Sequence, residues 1–315
     1  MSSTPVHLLI LGAGWTSTFL IPLCQARGIS YAATSRSGRD GTLAFAFDPH
    51  SRDPAPFRVL PDAQTVLVTF PIKVEGASRA LVELYQQTRH NSEGAPKTAF
   101  IQLGSTGIWD GGPTLRGAGH VWTDRHSKFD ETNDRAKAEM ELLALAPTVP
   151  TTVLDLCGLW GGQRQPKNWV SRVAPTKDAL KLKARLIAPG SSLISARLTE
   201  MNDITGCSSV HLLQGSIHLI HGMDVARAIL AVHAQFDHAA GQRWLLTDLR
   251  VYDWWDLAAA WGEQGKQARW VRELMQEEGL RALPRSPEVI GRAMDSREFW
   301  TTFGLEPVKG RAGQE

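Results

Sequence analysis

The sequence predicts an α/β protein built on a doubly wound parallel sheet, with a smaller lobe towards the C-terminus. Apolar runs of strand length recur in the first half of the chain, and stretches of helical character separate them. A glycine pair directly follows the first of these runs. Continuously apolar runs are typical of parallel strands that are covered on both faces. Strands that alternate with helices in this order predict βαβ units and therefore a parallel sheet.

The first βαβ unit occupies the start of the chain. An apolar run covers 6–11, a helical stretch covers 18–27, and a second apolar run covers 29–34. A strand, a turn, a helix and a second strand in this order predict a right-handed crossover between parallel neighbours. The turn between the first strand and the helix is therefore the element to inspect for a ligand.

That turn has the pattern G-x-G-x-x-S, formed by Gly12, Gly14 and Ser17, with serine where a third glycine is usual. Glycine lets the backbone bend sharply and come close to a pyrophosphate. The first residues of the helix, among them Trp15 and Thr16, offer free N–H groups and a partial positive charge to such an anion. The pattern predicts a dinucleotide site. The alternative is a βα turn that binds no nucleotide.

The composition argues against several classes of partner. Lys and Arg number 34 against 32 Asp and Glu, a net charge of +2 that does not favour nucleic acid or anionic lipid. No apolar run reaches the length of a membrane span, and the first residues lack the basic region of a signal peptide. The three cysteines are sparse and lack metal-ligand spacing. We therefore expect a reduced, cytoplasmic protein without a metal site.

The end of the second strand bears on the choice of cofactor. An acidic residue there usually binds the free ribose 2′-OH of NAD, whereas arginine binds the 2′-phosphate of NADP. The sequence has no acid at that point, and Arg36 is the better placed of two arginines. We therefore expect NADP rather than NAD. The alternative is that Arg36 is a solvated loop charge.

Two later strands should contribute further residues to the cofactor site. A third strand is predicted over 43–47 and ends at Asp48, which is placed to reach the adenine. A fourth, continuously apolar strand ends at Phe70 and Pro71. Ligands in open α/β sheets bind beyond the carboxyl ends of the strands, so we expect Phe70 and Pro71 to face the cofactor.

A fifth strand over 99–103 runs into Gly104-Ser105-Thr106-Gly107-Ile108-Trp109. This segment resembles the Ser-Thr-Gly-Val-Tyr-Gly segment of the short-chain dehydrogenase/reductase superfamily, in its extended or atypical branch of NAD-dependent epimerase/dehydratase-like proteins. Similar segments follow at 135–139, 154–162 and 217–229, so the resemblance covers most of the chain. It implies a Rossmann-type, NAD(P)-binding fold.

The resemblance also implies roles for individual residues. Ser105 stands at the position of the family's catalytic serine, and Lys137 at the lysine that binds the nicotinamide ribose. Asn133 stands where the catalytic tyrosine is expected, and an amide cannot transfer the proton that the tyrosine transfers. The implied substrate contacts are Thr106, Trp109, Trp160 and Arg164.

Arg164 and a pair of histidines allow more than one interpretation. Arg164 is placed to meet an anion of the substrate or of the cofactor, or else is a loop charge. His218 and His221 have nearly the spacing of metal ligands, but we interpret them as structural, with Asp224 as the N-cap of a helix over 225–233.

We expect one domain over 1–315, in which 1–160 mainly bind the cofactor and 161–308 mainly form the substrate lobe, before a loose tail over 309–315. The stretch 184–214 lacks periodicity and is unusually long for a connection inside a domain. It is a substrate-covering excursion, a lineage-specific loop, or retained intron sequence. Retained intron sequence is favoured, because excision of 184–214 would join 183 to 215 in a junction that resembles the short-chain dehydrogenase/reductase superfamily.

The sequence thus predicts an atypical NADP-binding protein of this superfamily, acting as an oxidoreductase or epimerase-type enzyme on a small organic molecule. Asn133 keeps a different class open, namely a catalytically silent NAD(P)-binding sensor or scaffold. The expected partner is a small-molecule substrate, and a homodimer is left open.

Overall fold

A parallel sheet forms the centre of the computed structural model, which describes residues 4–89, 97–110, 122–183, 215–310 and 312. Within these residues the sheet has seven strands. In chain order they are β1 (Val6–Leu11), β2 (Tyr31–Ser35), β3 (Leu43–Ala44), β4 (Ala63–Val68), β5 (Ala99–Ser105), β6 (Thr151–Leu156) and β7 (Arg243–Leu246).

The strand order is β7-β6-β5-β4-β1-β2-β3, and all neighbours are parallel. The chain runs outward from β1 through β2 and β3, then returns to place β4 on the other side of β1. The crevice between the carboxyl ends of β1 and β4 is therefore the topological switch point, where open α/β sheets bind their ligands. The predicted doubly wound fold is confirmed.

The longer helices are α1 (Ser17–Ala26), α2 (Ala77–Gln87), α3 (Asp134–Leu143), α4 (Lys177–Leu182), α5 (Gly222–Ala234), α6 (Trp254–Trp261), α7 (Lys266–Glu277) and α8 (Arg297–Thr302). Helices α1, α5 and α8 cover one face of the sheet, and α2 and α3 cover the other. Successive side chains of β1 alternate between these two apolar layers. Burial on both faces explains why β1 reads as one continuous apolar run.

The smaller lobe packs α4, α6 and α7 around Leu180, Trp255 and Leu274. Short strands pair beside it and at its border with the sheet: Gly158–Trp160 with Leu219–His221, Ser216–Ile217 with Tyr252–Asp253, and Trp122–Thr123 with Ala293–Met294. Residues after 160 do not all belong to this lobe, because β7, α5 and α8 pack into the main sheet.

The third strand is shorter than the prediction over 43–47, since β3 ends at Ala44. Beyond it, Phe47 stacks on Phe70 with ring centroids 6.0 Å apart, and Asp48 accepts a hydrogen bond from the backbone N–H of His50 at 2.9 Å. The side chains after Ala44 are thus used in packing and in a turn rather than in strand pairing.

Two predictions about the C-terminal part need correction. His221, not Asp224, caps α5, because its Nδ1 accepts from the N–H of Met223 at 3.0 Å. The buried Asp224 carboxylate instead accepts from the backbone N–H groups of Val308 (2.9 Å) and Lys309 (3.0 Å). A buried carboxylate requires such donors. The described part of the tail is therefore held in place rather than loose.

The predictions for 184–214 concern residues outside the described part of the chain. The residues that flank this stretch lie side by side, since a Cβ on Gly215 would be 2.8 Å from the Lys183 carbonyl oxygen. Both flanks are also bonded to the lobe. Arg285 Nη2 donates to the Lys183 carbonyl at 3.1 Å, and the Trp254 N–H donates to the Gly215 carbonyl at 2.9 Å.

We expect a variant in which Lys183 is joined to Gly215, without 184–214, to remain folded, because the two flanks already meet. Circular dichroism should show a cooperative thermal transition. As a control, deletion of α7 removes Val271 and Leu274 from the core of the smaller lobe, and the lobe should then no longer unfold cooperatively. Non-cooperative melting of the 184–214 deletion would contradict the prediction.

Candidate functional site

The turn after β1 is fixed to the ends of its two neighbouring strands. The Gly12 N–H donates to Thr34 Oγ1 at 3.0 Å, and Thr69 Oγ1 donates to the Gly12 carbonyl at 2.6 Å. Gly12 has a φ of +97°, and a Cβ there would be 2.7 Å from Thr69 Oγ1. Both the backbone conformation and the space available therefore require glycine.

The other side of this turn is open. Gly14 is exposed, and a Cβ built there would meet no atom within 4 Å. The N–H groups of Trp15 and Thr16 have no acceptor among the described residues, although the next one, of Ser17, bonds to the Gly14 carbonyl at 3.1 Å. Unpaired N–H groups at a helix N-terminus beside open space fit an anion such as a dinucleotide diphosphate.

Ser17 occupies the position of the third glycine and is 4% exposed. Its small side chain lets α1 approach the sheet closely, which is the role of glycine at that position.

Arg36 lies beside the same turn. The Ala13 N–H donates to the Thr34 carbonyl at 2.6 Å, which joins the glycine turn to the end of β2 two residues before Arg36. The Arg36 side chain is exposed and forms no hydrogen bond within the part of the chain that the structure describes. Its guanidinium is therefore available to a ligand at this edge of the sheet.

The residues after β4 border the turn as well. The ring of Phe70 lies 3.2 Å from the position of a Cβ on Gly12, and Pro71 is exposed. Asp48 follows Phe47, and the Phe47 ring stacks on Phe70 at this edge of the sheet. The Oδ1 atom of Asp48 accepts a hydrogen bond from the His50 N–H. The structure thus brings Gly12 and Phe70 together at the switch point, and Arg36 follows the end of β2 that is bonded to the same turn.

A second turn, from a distant part of the chain, reaches the glycine turn. Trp15 Nε1 donates to the Gly161 carbonyl at 3.1 Å, across 146 residues of sequence. The guanidinium carbon of Arg164 lies 4.6 Å from the centroid of the Trp15 ring, a cation–π contact. Arg164 therefore stands at the border between the cofactor side and the smaller lobe.

Ser105 ends β5, and its Oγ accepts from the Gly107 N–H at 3.2 Å. The Ser105 hydroxyl proton remains available to a substrate oxygen. The next residue, Thr106, is buried. Trp109 is 4% exposed and donates its Nε1 proton to the Ser127 carbonyl at 3.0 Å, so its indole packs in the interior.

Asn133 is the N-cap of α3, and its Oδ1 accepts from the Arg135 N–H at 2.9 Å. Lys137 lies one turn further along, where its N–H donates to the Asn133 carbonyl at 3.0 Å. The Lys137 side chain is 46% exposed, with Nζ 3.9 Å from Asp134 Oδ1. No hydrogen bond joins Ser105 to Asn133 or Lys137 among the described residues.

The remaining aromatic and histidine positions serve packing. Trp160 is fully buried, and its ring meets that of His221 edge-on at 4.6 Å. His218 Nε2 accepts from the Met294 N–H at 3.0 Å, and burial lowers the pKa of this imidazole to about 3, so it is neutral at pH 7. The interpretation of both histidines as structural agrees with these contacts.

Comparisons with solved structures identify the fold. A protein from Methylobacillus flagellatus described as an NAD-dependent epimerase/dehydratase is 17% identical, with a TM-score of 0.56 over 97% of this chain and 94% of that one. A short-chain dehydrogenase/reductase superfamily protein from Agrobacterium tumefaciens with bound NAD is 11% identical, with a TM-score of 0.54 over 96% and 92%. RMD from Pseudomonas aeruginosa complexed with NADPH is 11% identical, with a TM-score of 0.52 over 96% and 93%.

The chain shares its Rossmann-type fold with these proteins. The sequence matches no protein-family model and no curated protein. Among the described residues, no cluster of His, Cys, Asp and Glu is arranged to hold a metal ion. None of the helices among those residues is both long and apolar enough to span a membrane.

One group behind Ser105 was not anticipated from the sequence. Arg243 lies 3.1 Å from both Glu139 and Asp155, and both carboxyl groups are fully buried. Burial raises the pKa of Asp155 well above its usual range, and the adjacent Glu139 raises it further. Burial also raises the pKa of Glu139, against the Arg243 charge. Both carboxyl groups thus face Arg243, beside the Ser105 backbone.

Arg292 was also not anticipated. It forms an ion pair with Asp110 and donates to the Thr106 carbonyl at 3.2 Å, so it ties the turn after β5 to a segment near the C-terminus. Burial lowers the pKa of Arg292 to about 9, which leaves it charged at pH 7. The sequence carries a signal for Asp155, because it is a charged residue within an otherwise uncharged strand. It carries no such signal for Arg292.

We expect Gly12→Ala to destabilise the protein by about 1–3 kcal/mol, because it combines an unfavourable φ with a contact that must shift. Gly14→Ala is the matched control, since its Cβ points into open space and should leave the melting temperature unchanged. Thermal unfolding of both variants tests this. Equal melting temperatures of the two variants would contradict the conclusion that the close contact between Gly12 and Thr69 requires glycine.

Proposed function

We propose that this protein binds NADP and acts as an oxidoreductase or epimerase-type enzyme on a small organic molecule. The observation that carries the proposal is the glycine turn at the switch point. There the N–H groups of Trp15 and Thr16 have no acceptor among the described residues, the adjacent Gly14 borders open space, and the exposed Arg36 follows the end of the neighbouring strand. The N–H groups suit the diphosphate, and the guanidinium suits a 2′-phosphate.

The choice of NADP rests on Arg36. Neighbours with this fold were solved with NAD or with NADPH, so the fold itself accommodates either cofactor. The selective contact must come from the residues after β2. The exposed side chains there include Arg36 and Arg39, and the first acid after them is Asp40.

We expect NADPH to bind more tightly than NADH, and Arg36→Asp to remove this preference through the loss of charge-assisted bonds to the 2′-phosphate. The affinity for NADPH should fall about 10- to 100-fold, while that for NADH changes little. Isothermal titration of both cofactors measures this. Arg39→Asp carries the same charge change and serves as the control. Equal binding of NADH and NADPH by the unaltered protein would overturn the assignment of Arg36.

Asn133 favours a second candidate function, a cofactor-binding sensor or scaffold without catalysis. Its side chain caps α3 and cannot donate a proton on the timescale of turnover. Cofactor binding uses the glycine turn and does not depend on this residue. The test is substrate-dependent oxidation of NADPH across a panel of small carbonyl compounds. Tight NADPH binding without turnover on any of them favours the sensor.

Under the enzymatic proposal, Ser105 holds a substrate oxygen, Lys137 binds the nicotinamide ribose, and carbonyl reduction is slow because no tyrosine supplies the proton. Asn133→Tyr should raise the rate by up to ~10²–10⁴, the usual contribution of general acid catalysis, while lowering stability by about 1 kcal/mol through loss of the cap. Asn133→Ser keeps a capping side chain and should leave the rate unchanged.

Lys137→Ala should weaken NADPH binding. Ser105→Ala should lower the turnover rate and leave NADPH binding unchanged. Steady-state kinetics and titration of the same variants separate the two effects. A fast unaltered enzyme whose rate is insensitive to both substitutions would exclude this catalytic site.

A further inference from the structure

Two stretches of the chain without any acidic residue meet at the glycine turn. Residues 1–39 contain three arginines and no Asp or Glu, and residues 156–177 contain two arginines, two lysines and no Asp or Glu. The hydrogen bond from Trp15 Nε1 to the Gly161 carbonyl joins these two stretches. Lys177 is paired with Glu273 and Glu277. Arg164, which contacts Trp15, has no ion-pair partner among the described residues and adds positive charge that attracts an anion.

The turn that carries Arg164 is rigidly placed. Gly161 and Arg164 exchange backbone hydrogen bonds, with N–O distances of 2.9 and 3.1 Å. Gly161 has a φ of +112°, and a Cβ there would be 2.4 Å from His221 Nε2, so the turn packs directly against the His221 ring. The position of the Arg164 backbone is thus fixed relative to both α5 and the glycine turn.

The Arg164 guanidinium stands over the Trp15 ring, while the backbone N–H of the same Trp15 has no acceptor among the described residues. The Arg164 side chain is exposed, and no carboxylate in the described part of the chain pairs with it. A guanidinium stacked on an aromatic ring keeps its N–H donors free in the plane, in the fork geometry that matches phosphate oxygens.

We propose that Arg164 binds the diphosphate of the dinucleotide from the side of the smaller lobe, with Trp15 as the platform that orients its guanidinium. This inference rests on the proposed cofactor site and adds a side-chain clamp to it. The backbone N–H groups of Trp15 and Thr16 hold the diphosphate on one side, and Arg164 holds it on the other. Because Gly161 is bonded to Trp15, the clamp also links cofactor binding to the start of the lobe.

The test uses the full-length protein and three ligands. NADPH carries both the diphosphate and the 2′-phosphate, ADP carries a diphosphate but no 2′-phosphate, and adenosine 2′-monophosphate carries the 2′-phosphate but no diphosphate. Arg164→Ala should weaken NADPH and ADP about 10- to 100-fold, the loss expected for a hydrogen bond between charged groups, and leave adenosine 2′-monophosphate unchanged. Arg164→Lys should recover part of the loss. Arg172→Ala changes the net charge equally within the same acid-free stretch and should leave all three affinities unchanged.

A second variant tests the platform. Trp15→Phe keeps an aromatic face but removes the bond from Nε1 to Gly161, so it should weaken NADPH and ADP less than Arg164→Ala does. Thermal melting verifies that each variant is folded.

The outcomes separate the two proposals. If the unaltered protein binds neither NADPH nor ADP, the cofactor site itself is overturned. If it binds both and Arg164→Ala binds them equally well, only the clamp is overturned. A loss of affinity for adenosine 2′-monophosphate as large as that for ADP would also overturn the clamp, since Arg164 would then act through general electrostatics. An effect confined to the KM of a carbonyl substrate would assign Arg164 to a substrate anion instead.

Discussion

The close approach of Thr69 to Gly12 is the constraint on which the site depends. Parallel pairing of Leu11 with Val68 brings the residues after β1 and β4 side by side, and the Thr69 hydroxyl then bonds to the carbonyls of both Leu11 and Gly12. No Cβ fits between them. After Gly12, the Ala13 N–H donates to the Thr34 carbonyl of β2 and the Gly14 N–H to the Gly12 carbonyl, so the first N–H groups without an acceptor among the described residues are those of Trp15 and Thr16. The proposed anion site at the switch point rests on this backbone arrangement.

This part of the molecule could be predicted because the determining pattern is local. The apolar run, the glycines and the helix are contiguous in sequence, and each is decided by its neighbours. The same is true of α6, where Asp253 supplies an N-cap directly before the apolar stretch that forms the helix. The position of Arg36 beyond β2 follows from parallel pairing with β1.

Contacts between distant segments could not be predicted in this way. The bond between Trp15 and Gly161 spans 146 residues, and that between Arg292 and Thr106 spans 186. Neither side chain carries a local signal of its partner. The helix cap at His221 was missed for a different reason. Asp224 has the chemistry of an N-cap, but its carboxylate is bound by the C-terminal tail, and the imidazole one turn earlier takes the capping role.

The two halves of the proposed site make different physical demands, so Asn133 is compatible with the proposed binding of a cofactor. The diphosphate end of the proposed cofactor site is built at the ends of β1, β2 and β4, and α3 would contribute to the site only through Lys137 at the nicotinamide ribose. The chemical half needs a titrating group near Ser105. Glu139 and Asp155 lie beside the Ser105 backbone, but both are buried and paired with Arg243. Such a cluster can hold the end of β5 in place. Under the proposed function, Asn133 therefore leaves the site without a proton donor at this position, while the glycine turn that would bind the nucleotide is unaffected.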